Sequence, residues 1–309
     1  MSYSDQALIF AKIPVNHQIR EEDRISFLYL EYCRIEQNRT GVVALREYED
    51  DIRAKLIQIP VAGIAVMFLG PGTSITQPAI ASCTRAGLTI VFTGENGIPY
   101  YSHATALTSS ARWAIAQARL VSNEKHAREA ARKLYKNQLS IDINADLTIS
   151  QMRGIEGQMV RKLYRDMSRK YGITNFRRNT KSGDQVNAAL NMLGGIIYGC
   201  AASACAALSV NPALGIIHRG DAKALLFDLA DQYKPKSVIP LAFRALDQSD
   251  PMTWSRRELR RHLHRDLILT KMISLLMELF QPFLPKINDD RLINDRGEVK
   301  GHLSWGDDA

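Results

Sequence analysis

The chain has 309 residues, of which 46% are hydrophobic and 23% are charged, a composition typical of a soluble globular protein with about two domains. Of its 40 basic and 32 acidic residues, residues 1–100 hold 9 and 11, which leaves 31 and 21 for the remainder. The net charge of +8 therefore arises entirely after residue 100. This surplus indicates either a solvated surface or a surface that binds phosphate groups.

The cysteines and the apolar stretches exclude several classes of protein. Cys33, Cys83, Cys200 and Cys205 form no CxxC pair, which excludes a zinc ribbon and a CxxC redox motif, and we expect buried thiols in a reducing cytosol. The N-terminus lacks a basic segment followed by an apolar run, so we expect no signal peptide. The most apolar stretches are interrupted or too short to span a bilayer. We therefore expect a cytoplasmic protein that does not enter a membrane.

Residues 1–101 are predicted to form a β-rich domain, because short runs of strand-forming residues alternate with turn residues. Gly70–Thr73 is a turn signal, Gln77–Ala86 has the pattern of a short helix, and Asn96-Gly97 favours a hairpin. The predicted strands are Arg24–Tyr32, Gly41–Leu45, Lys55–Ile59, Gly63–Leu69, Leu88–Phe92 and Ile98–Tyr101.

Residues 102–309 are predicted to form a larger α-helical domain, because apolar residues recur at helical spacing after Thr105. The predicted helices are Ser110–Val121, Asn123–Leu139, Ile149–Tyr171, Asp184–Leu208, Asp221–Gln232, Pro240–Leu246 and Trp254–Leu284. Asp184 is the predicted N-cap of a nearly apolar helix, which favours a buried position for that helix. The predicted fold class is therefore α+β, with the strands preceding the helices.

Four side chains are the strongest candidates for a functional site: Glu156, His218, Asp228 and Asp231. Asp228 and Asp231 are three residues apart on a predicted helix and share a face, and His218 lies just before that helix. Carboxylates among apolar residues need a partner, and a hard divalent metal such as Mg²⁺ or Mn²⁺ is one candidate. The spacing alone also allows a core histidine and an aspartate pair that is solvated or bound to Arg219 or Lys234.

Basic residues at helical spacing are candidates for binding DNA. Arg153 and Arg165 share the predicted helix of Glu156. Three arginines recur every four positions in the predicted helix that begins at Trp254, and one stripe of this kind can neutralise successive phosphates. They are Arg257, Arg261 and Arg265. Each cluster is also compatible with a solvated helix face, but carboxylates beside a basic surface favour metal-dependent chemistry on nucleic acid.

Several short strings occur in the order and spacing of a known family. They are Arg153–Gly157 followed by Tyr164, Asp184–Leu190 followed by Tyr198-Gly199, Gly215–His218, and Phe227–Asp231. As a set they resemble the CRISPR-associated endonucleases of the adaptation module, which integrate new spacers. The resemblance covers roughly residues 20–245. The strings Asp23–Tyr29 and Pro71–Thr73 are most similar to the type I-E branch.

The resemblance implies a fold, a metal site and an assembly. It implies a β-sandwich-like N-terminal domain that forms a homodimer, followed by an α-helical catalytic domain. It implies that Glu156, His218 and Asp231 hold a catalytic Mg²⁺ or Mn²⁺, with Asp228 as a supporting acid. It also implies that a small companion subunit bridges two homodimers on double-stranded DNA.

The resemblance further assigns two aromatic residues to DNA and marks two departures from the type I-E pattern. Tyr32 falls where an aromatic residue braces the end of the spacer duplex, and Tyr198 falls where a tyrosine lies beside the single-stranded overhang. The third position after the histidine, often lysine in that branch, is Asp221 here, and Ser74 stands where arginine is common. A carboxylate does not bind phosphate directly, so the overhang is expected to be recognised differently.

The leading hypothesis is a metal-dependent DNA endonuclease and integrase that inserts short foreign DNA into a CRISPR array. In this reaction a 3′-hydroxyl of the spacer attacks a phosphodiester of the repeat. One alternative is a metal-dependent DNA hydrolase without a role in integration, for which the nucleophile is water. Another is a DNA-binding assembly protein whose acidic cluster is purely structural.

Overall fold

The computed structural model describes residues 24–48, 51–97, 99–106, 111–285, 291–294 and 297–300. Its strands are β1 (Ile25–Leu30), β2 (Arg34–Asn38), β3 (Gly41–Tyr48), β4 (Asp51–Ile59), β5 (Ile64–Leu69), β6 (Ser74–Ile75), β7 (Thr89–Thr93), β8 (Tyr100–Ala104), β9 (Arg291–Asn294) and β10 (Gly297–Lys300). Its helices are α1 (Gln77–Arg85), α2 (Arg112–Ser122), α3 (Glu124–Leu139), α4 (Ile149–Lys170), α5 (Gln185–Ala207), α6 (Ala224–Asp231), α7 (Ile239–Arg244), α8 (Pro251–Arg265) and α9 (Ile268–Phe280). A π-helical turn, Lys234–Val238, follows α6.

Two four-stranded sheets occupy the N-terminal part of the chain. The first has the order β1-β5-β7-β8, in which only β8 runs antiparallel to its neighbour, and the second has the order β4-β3-β2-β6. Met67 and Leu69 of the first sheet share a core with Ile35 and Val42 of the second and with Cys83 of α1. The sheets and the helices that follow confirm the predicted α+β class with a sandwich-like N-terminal part.

The other face of the first sheet packs on α5. Alternate side chains of β5 point to opposite faces, so Val66 and Phe68 join the core of the helices while Met67 faces the second sheet. The contact is close, because a Cβ added at Gly199 of α5 would overlap the ring of Phe68. The most apolar 18-residue window of α5 would be long enough to cross a membrane, but 83% of it is buried, so α5 is a core helix. The predicted N-cap is confirmed: Asp184 accepts the Asn187 N–H at 2.9 Å.

The structure differs from the predicted elements at three places. The strand β2 was not predicted, because Ile35 is the only buried residue in this polar segment, and β6 is only two residues long. The predicted helix Trp254–Leu284 is two helices, α8 and α9, separated at Leu267, whose φ of 50° ends the first helix. Ile98 and Ser110, where a predicted strand and a predicted helix begin, lie outside the described residues, as does Asp23, the first residue of a string that carries the resemblance.

Candidate active site

A cavity of about 480 Å³ lies where α4, α5 and α6 meet the connection between β7 and β8. Glu156 of α4 and Asp231 of α6 both line it, although they are far apart in sequence. Gln138 of α3, Tyr198 of α5 and Lys234 of the π-helical turn also line it. The tertiary fold therefore gathers two of the predicted metal ligands in one cavity.

Asp228 lies under the segment that carries His218. Its carboxylate is buried and accepts the backbone N–H groups of Ile216 at 2.6 Å, Ile217 at 3.1 Å and His218 at 3.0 Å. The segment turns tightly there, because a Cβ added at Gly215 would overlap the carbonyl oxygen of His218. Three donated N–H groups satisfy a buried carboxylate that would otherwise be costly.

The fourth hydrogen bond of Asp228 fixes the imidazole of His218. Nδ1 of His218 lies 2.8 Å from Asp228 Oδ1, and a carboxylate only accepts, so Nδ1 carries the proton. Nε2 is then free to act as an acceptor or a metal ligand, and it lies 3.9 Å from Asp231 Oδ2. The hydrogen bond to Asp228 raises the pKa of His218 above its ordinary value, burial opposes that rise, and the charges of Asp228 and Asp231 add to it.

Asp231 is bound by Lys234, which in turn contacts Tyr198, and neither residue belongs to the predicted ligand set. Lys234 Nζ lies 2.7 Å from Asp231 Oδ1 and donates to the Tyr198 hydroxyl at 2.8 Å. The same ammonium lies 4.8 Å from the centroid of the Tyr198 ring, within the range of a cation–π contact. Burial acts to lower the pKa of Lys234, but the Asp231 carboxylate and Tyr198 outweigh burial and raise that pKa, so the lysine is charged.

Glu156 is held by Gln138, a buried residue of α3. Gln138 Nε2 donates to Glu156 Oε1 at 3.2 Å. Burial raises the pKa of Glu156, and the Asp231 carboxylate raises it further, while Gln138, His218 and Lys234 each lower it. Each candidate ligand thus has its own supporting partner: Gln138 for Glu156, Asp228 for His218, and Lys234 for Asp231.

The donor set suits a divalent metal, although the side chains do not yet form a closed shell. Two carboxylates and an imidazole whose second nitrogen is bound by a carboxylate are the donors that Mg²⁺ or Mn²⁺ accepts. In the part of the chain that the structure describes, no three His, Cys, Asp or Glu side chains are arranged to hold an ion as they stand. Lys234 already occupies one oxygen of Asp231. The donor types thus fit the metal, but their positions in this structure do not form a coordination shell among the described residues.

The other predicted site residues lie at several surfaces. Tyr198 lines the cavity, as described above, whereas Tyr32 is 60% exposed on the loop between β1 and β2, and its N–H donates to the Pro71 carbonyl at 2.9 Å. Arg153 is exposed on α4, close enough to His218 to lower the pKa of that histidine. Asp221 accepts the N–H of Lys223, so it shapes the turn before α6.

The arginine stripe of α8 is exposed but largely engaged with neighbouring acids. Arg257 is exposed, Arg261 pairs with Glu258 at 2.9 Å, and Arg265 binds both oxygens of Asp266 at 2.7 and 2.8 Å. None of the three stripe arginines lines the cavity of Glu156 and Asp231.

A second cavity, of about 780 Å³, is strongly basic, and Arg165 is the one of its arginines that was predicted as a candidate for binding DNA. Arg165 lines it as one of three arginines spaced every four residues along α4, and two more follow α4. The five are Arg161, Arg165, Arg169, Arg177 and Arg178. Arg178 and Tyr164 line both cavities, so the basic cavity adjoins the cavity of Glu156 and Asp231. The latter is called the acidic cavity below for its two carboxylates, although Arg178, Lys223 and Lys234 also line it. The four-residue spacing on α4 was a signal that could have identified this groove.

Comparison with known proteins identifies the family. A sequence profile of the family described as CRISPR associated protein Cas1 matches residues 31–145 and 137–252. The CRISPR-associated endonuclease Cas1 2 of Thermus thermophilus is 32% identical over 303 residues, which cover 93% of this chain and 91% of that protein. A crystal structure of a TtCas1–DNA complex superposes with a TM-score of 0.74 at 32% identity, covering 90% of this chain and 100% of that one. A casposase bound to an integration product shares the fold at 14% identity, with a TM-score of 0.68 over 85% of this chain and 92% of its own. The chain therefore belongs to the Cas1 family of CRISPR-associated proteins.

Proposed function

We propose that this chain is a metal-dependent DNA endonuclease and integrase that inserts short foreign DNA spacers into a CRISPR array. A 3′-hydroxyl of the spacer attacks a phosphodiester of the repeat, and the repeat's own 3′-oxygen leaves. The observation that carries the proposal is the meeting of Glu156, His218 and Asp231, each with its own buried or half-buried partner, beside an arginine-lined cavity. Family membership supports the same reaction class.

Glu156, His218 Nε2 and Asp231 are the proposed ligands of one Mg²⁺ or Mn²⁺. When bound, the ion supplies charge neutralisation at the attacked phosphorus and orients the attacking oxygen. Asp228 keeps the proton of His218 on Nδ1, so that Nε2, which lies 3.9 Å from Asp231 Oδ2, keeps its lone pair available. Gln138 holds one oxygen of Glu156 in place.

The basic cavity is the proposed path of a DNA strand towards these residues. Arg161, Arg165 and Arg169 recur about 6 Å apart along the axis of α4, and such a row of positive charges can neutralise phosphates of one strand. Arg178 and Tyr164 continue the path into the acidic cavity. Lys223 lines the acidic cavity, and its ammonium lies 5.7 Å from the Tyr100 ring centroid. It supplies a positive charge two residues after Asp221, the position at which the type I-E branch often has lysine.

The remaining features of the proposal concern assembly and location. The protein acts on double-stranded DNA as a homodimer together with a small companion subunit, in the cytoplasm. The TtCas1 structure with DNA supports the DNA partner. Among the branches of the family, type I-E is the proposed relationship.

Two other functions remain as competing outcomes of one experiment. The protein is incubated with Mn²⁺, a supercoiled plasmid that carries a repeat, and a labelled duplex with a free 3′-hydroxyl. Covalent joining of label to plasmid supports the integrase, and nicking without joining supports the hydrolase. Binding without either reaction, unchanged by His218→Ala, supports a DNA-binding assembly protein and overturns the proposal.

The matched control is His264→Ala, since His264 is an exposed histidine of α8 that does not line the acidic cavity. Joining is expected to be lost in His218→Ala and in Glu156→Ala, while His264→Ala retains it. Glu156→Ala is expected to leave DNA binding largely intact, and loss of folding in this variant would show instead that the acid is structural.

A further inference from the structure

Lys234 provides the candidate active site with a positive charge of its own. It follows Asp231 by three residues on the π-helical turn after α6, and its side chain is only 28% exposed. Its ammonium contacts the Asp231 carboxylate at 2.7 Å and the Tyr198 hydroxyl at 2.8 Å, and the Tyr198 ring lies beneath it. The Asp231 carboxylate and the Tyr198 side chain therefore hold the ammonium in place together.

This contact divides the two oxygens of Asp231 between two functions. Lys234 binds Oδ1, while Oδ2 is the oxygen that lies 3.9 Å from Nε2 of His218. A carboxylate held in this way presents one oxygen, not both, to the space beside the imidazole. Lys234 thus orients Asp231 as a ligand with a single available oxygen.

The same contact changes the charge that a metal ion would meet. Glu156 and Asp231 together bring two negative charges, and Lys234 already offsets one of them. Asp228 is occupied by the imidazole and the three backbone N–H groups. A divalent cation entering beside Asp231 would be repelled by the ammonium, and charges a few ångströms apart interact strongly in a half-buried site. A DNA phosphate at the same place brings the negative charge that compensates this repulsion.

We propose that Lys234 is a positioning residue that weakens divalent-metal binding in the DNA-free protein and makes tight binding depend on a seated DNA phosphate. The inference rests on the proposed metal site. It predicts that the free protein binds its metal weakly and therefore does not cut DNA before the strand is in place.

The test is a titration of the full chain with Mn²⁺ alone, followed by isothermal calorimetry or by the loss of the free-ion electron paramagnetic resonance signal. Lys234→Gln removes the charge and keeps an N–H donor for Asp231, whereas Lys234→Arg keeps the charge. Lys236→Gln is the matched control, since Lys236 lies two residues away and its Nζ donates to the Asn137 carbonyl at 2.9 Å. We expect Lys234→Gln to bind Mn²⁺ about tenfold or more tightly than wild type, and the other two variants to bind as wild type does.

A second measurement adds a DNA duplex to wild type and to Lys234→Gln. DNA is expected to tighten Mn²⁺ binding much more in wild type than in the variant. Equal tightening in both proteins, or Mn²⁺ affinity in Lys234→Gln that equals or falls below that of wild type, overturns the role of Lys234. Where Lys234→Gln does not fold, as judged by circular dichroism, DNA-independent Mn²⁺ affinity in wild type overturns it alone.

Failure of the metal site itself gives a different result. His218→Ala is expected to weaken Mn²⁺ binding both in wild type and in Lys234→Gln. If His218→Ala leaves Mn²⁺ binding unchanged in both backgrounds, the ion does not bind at this site and the proposed function loses its metal. If His218→Ala weakens binding while Lys234→Gln changes nothing, the metal site stands and only the inference about Lys234 is rejected.

Discussion

Asp228→Asn is the substitution that most directly tests how His218 is oriented. The Asn side chain has the same shape but offers one acceptor oxygen and one N–H₂ group. With its oxygen towards Ile216 and Ile217, it keeps those two backbone hydrogen bonds. Its N–H₂ group then faces the backbone N–H and Nδ1 of His218, both of which donate to Oδ1 of Asp228 in the wild-type protein.

Asp228→Asn should change both the free energy of unfolding and the affinity for the metal. The backbone N–H of His218 loses its acceptor and the retained bonds lose the charge of the carboxylate, so the free energy of unfolding should fall by about 2–4 kcal/mol. The amide of Asn also donates to Nδ1, which moves the ring proton to Nε2, the nitrogen proposed to bind the metal. Changing such a partner of a metal-binding histidine typically lowers metal affinity or activity about 10–100-fold.

The assays are denaturant unfolding in a chelator, a Mn²⁺ titration, and nitrogen NMR of the histidine ring to identify the protonated nitrogen. Asp142→Asn is the control, because Asp142 is an exposed partner of Lys136 and its loss should leave the free energy of unfolding nearly unchanged. Wild-type Mn²⁺ affinity in a folded Asp228→Asn protein would refute the reasoning about the ring proton.

Three further predictions concern pH, acid strength and salt. The pKa of His218 is raised in the folded state, so the His218–Asp228 pair should contribute stability that is complete below about pH 6.5 and is lost as pH rises through the raised pKa. In a chelator, wild type should therefore exceed His218→Gln in stability by more at about pH 6 than at about pH 8.5. A difference in stability that does not change with pH contradicts this. Gln138→Met removes a hydrogen bond that lowers the pKa of Glu156, so the acidic limb of the pH–rate profile should move to higher pH, and an unmoved limb counts against a role for Gln138. Arg165→Ala should reduce the slope of log affinity for DNA against log salt by about 0.9 per lost phosphate contact, and an unchanged slope argues against the basic cavity as the DNA path.

The sequence predicted the parts of the site that depend on local pattern. Asp228 and Asp231 share a helix because the apolar run around them is helical, and Asp228 was expected to support the ligand set. The partner of Glu156 depends on tertiary packing, whereas Lys234 follows Asp231 by only three residues. Gln138 reaches Glu156 from the preceding helix, 18 residues away, and no periodicity within one element encodes such a contact. An ion pair between Lys234 and the aspartates was expected as an alternative to a metal site, and the structure confirms its contact with Asp231, inside the cavity that Glu156 also lines.

The same distinction explains the differences in the fold. The strand β2 is recognised by its pairing with β3 and β6, not by its own polar sequence. At Leu267 the apolar spacing continues across the break between α8 and α9, so the pattern favours one helix. The break itself is a backbone feature, because Leu267 lies in the left-handed region. The preceding residue, Asp266, binds the Arg265 guanidinium. Hydrophobic periodicity does not reveal a left-handed backbone conformation at one residue.

The close approach of Gly199 to Phe68 has a consequence for how the molecule unfolds. Because Val66 and Phe68 belong to the same apolar cluster as the helices, the first sheet and the helical region are expected to lose structure in one cooperative transition. Helices expressed without the sheets would expose an apolar face of α5 to water and so become prone to aggregate. Larger side chains at position 199 should therefore lower the midpoint of unfolding for strands and helices together.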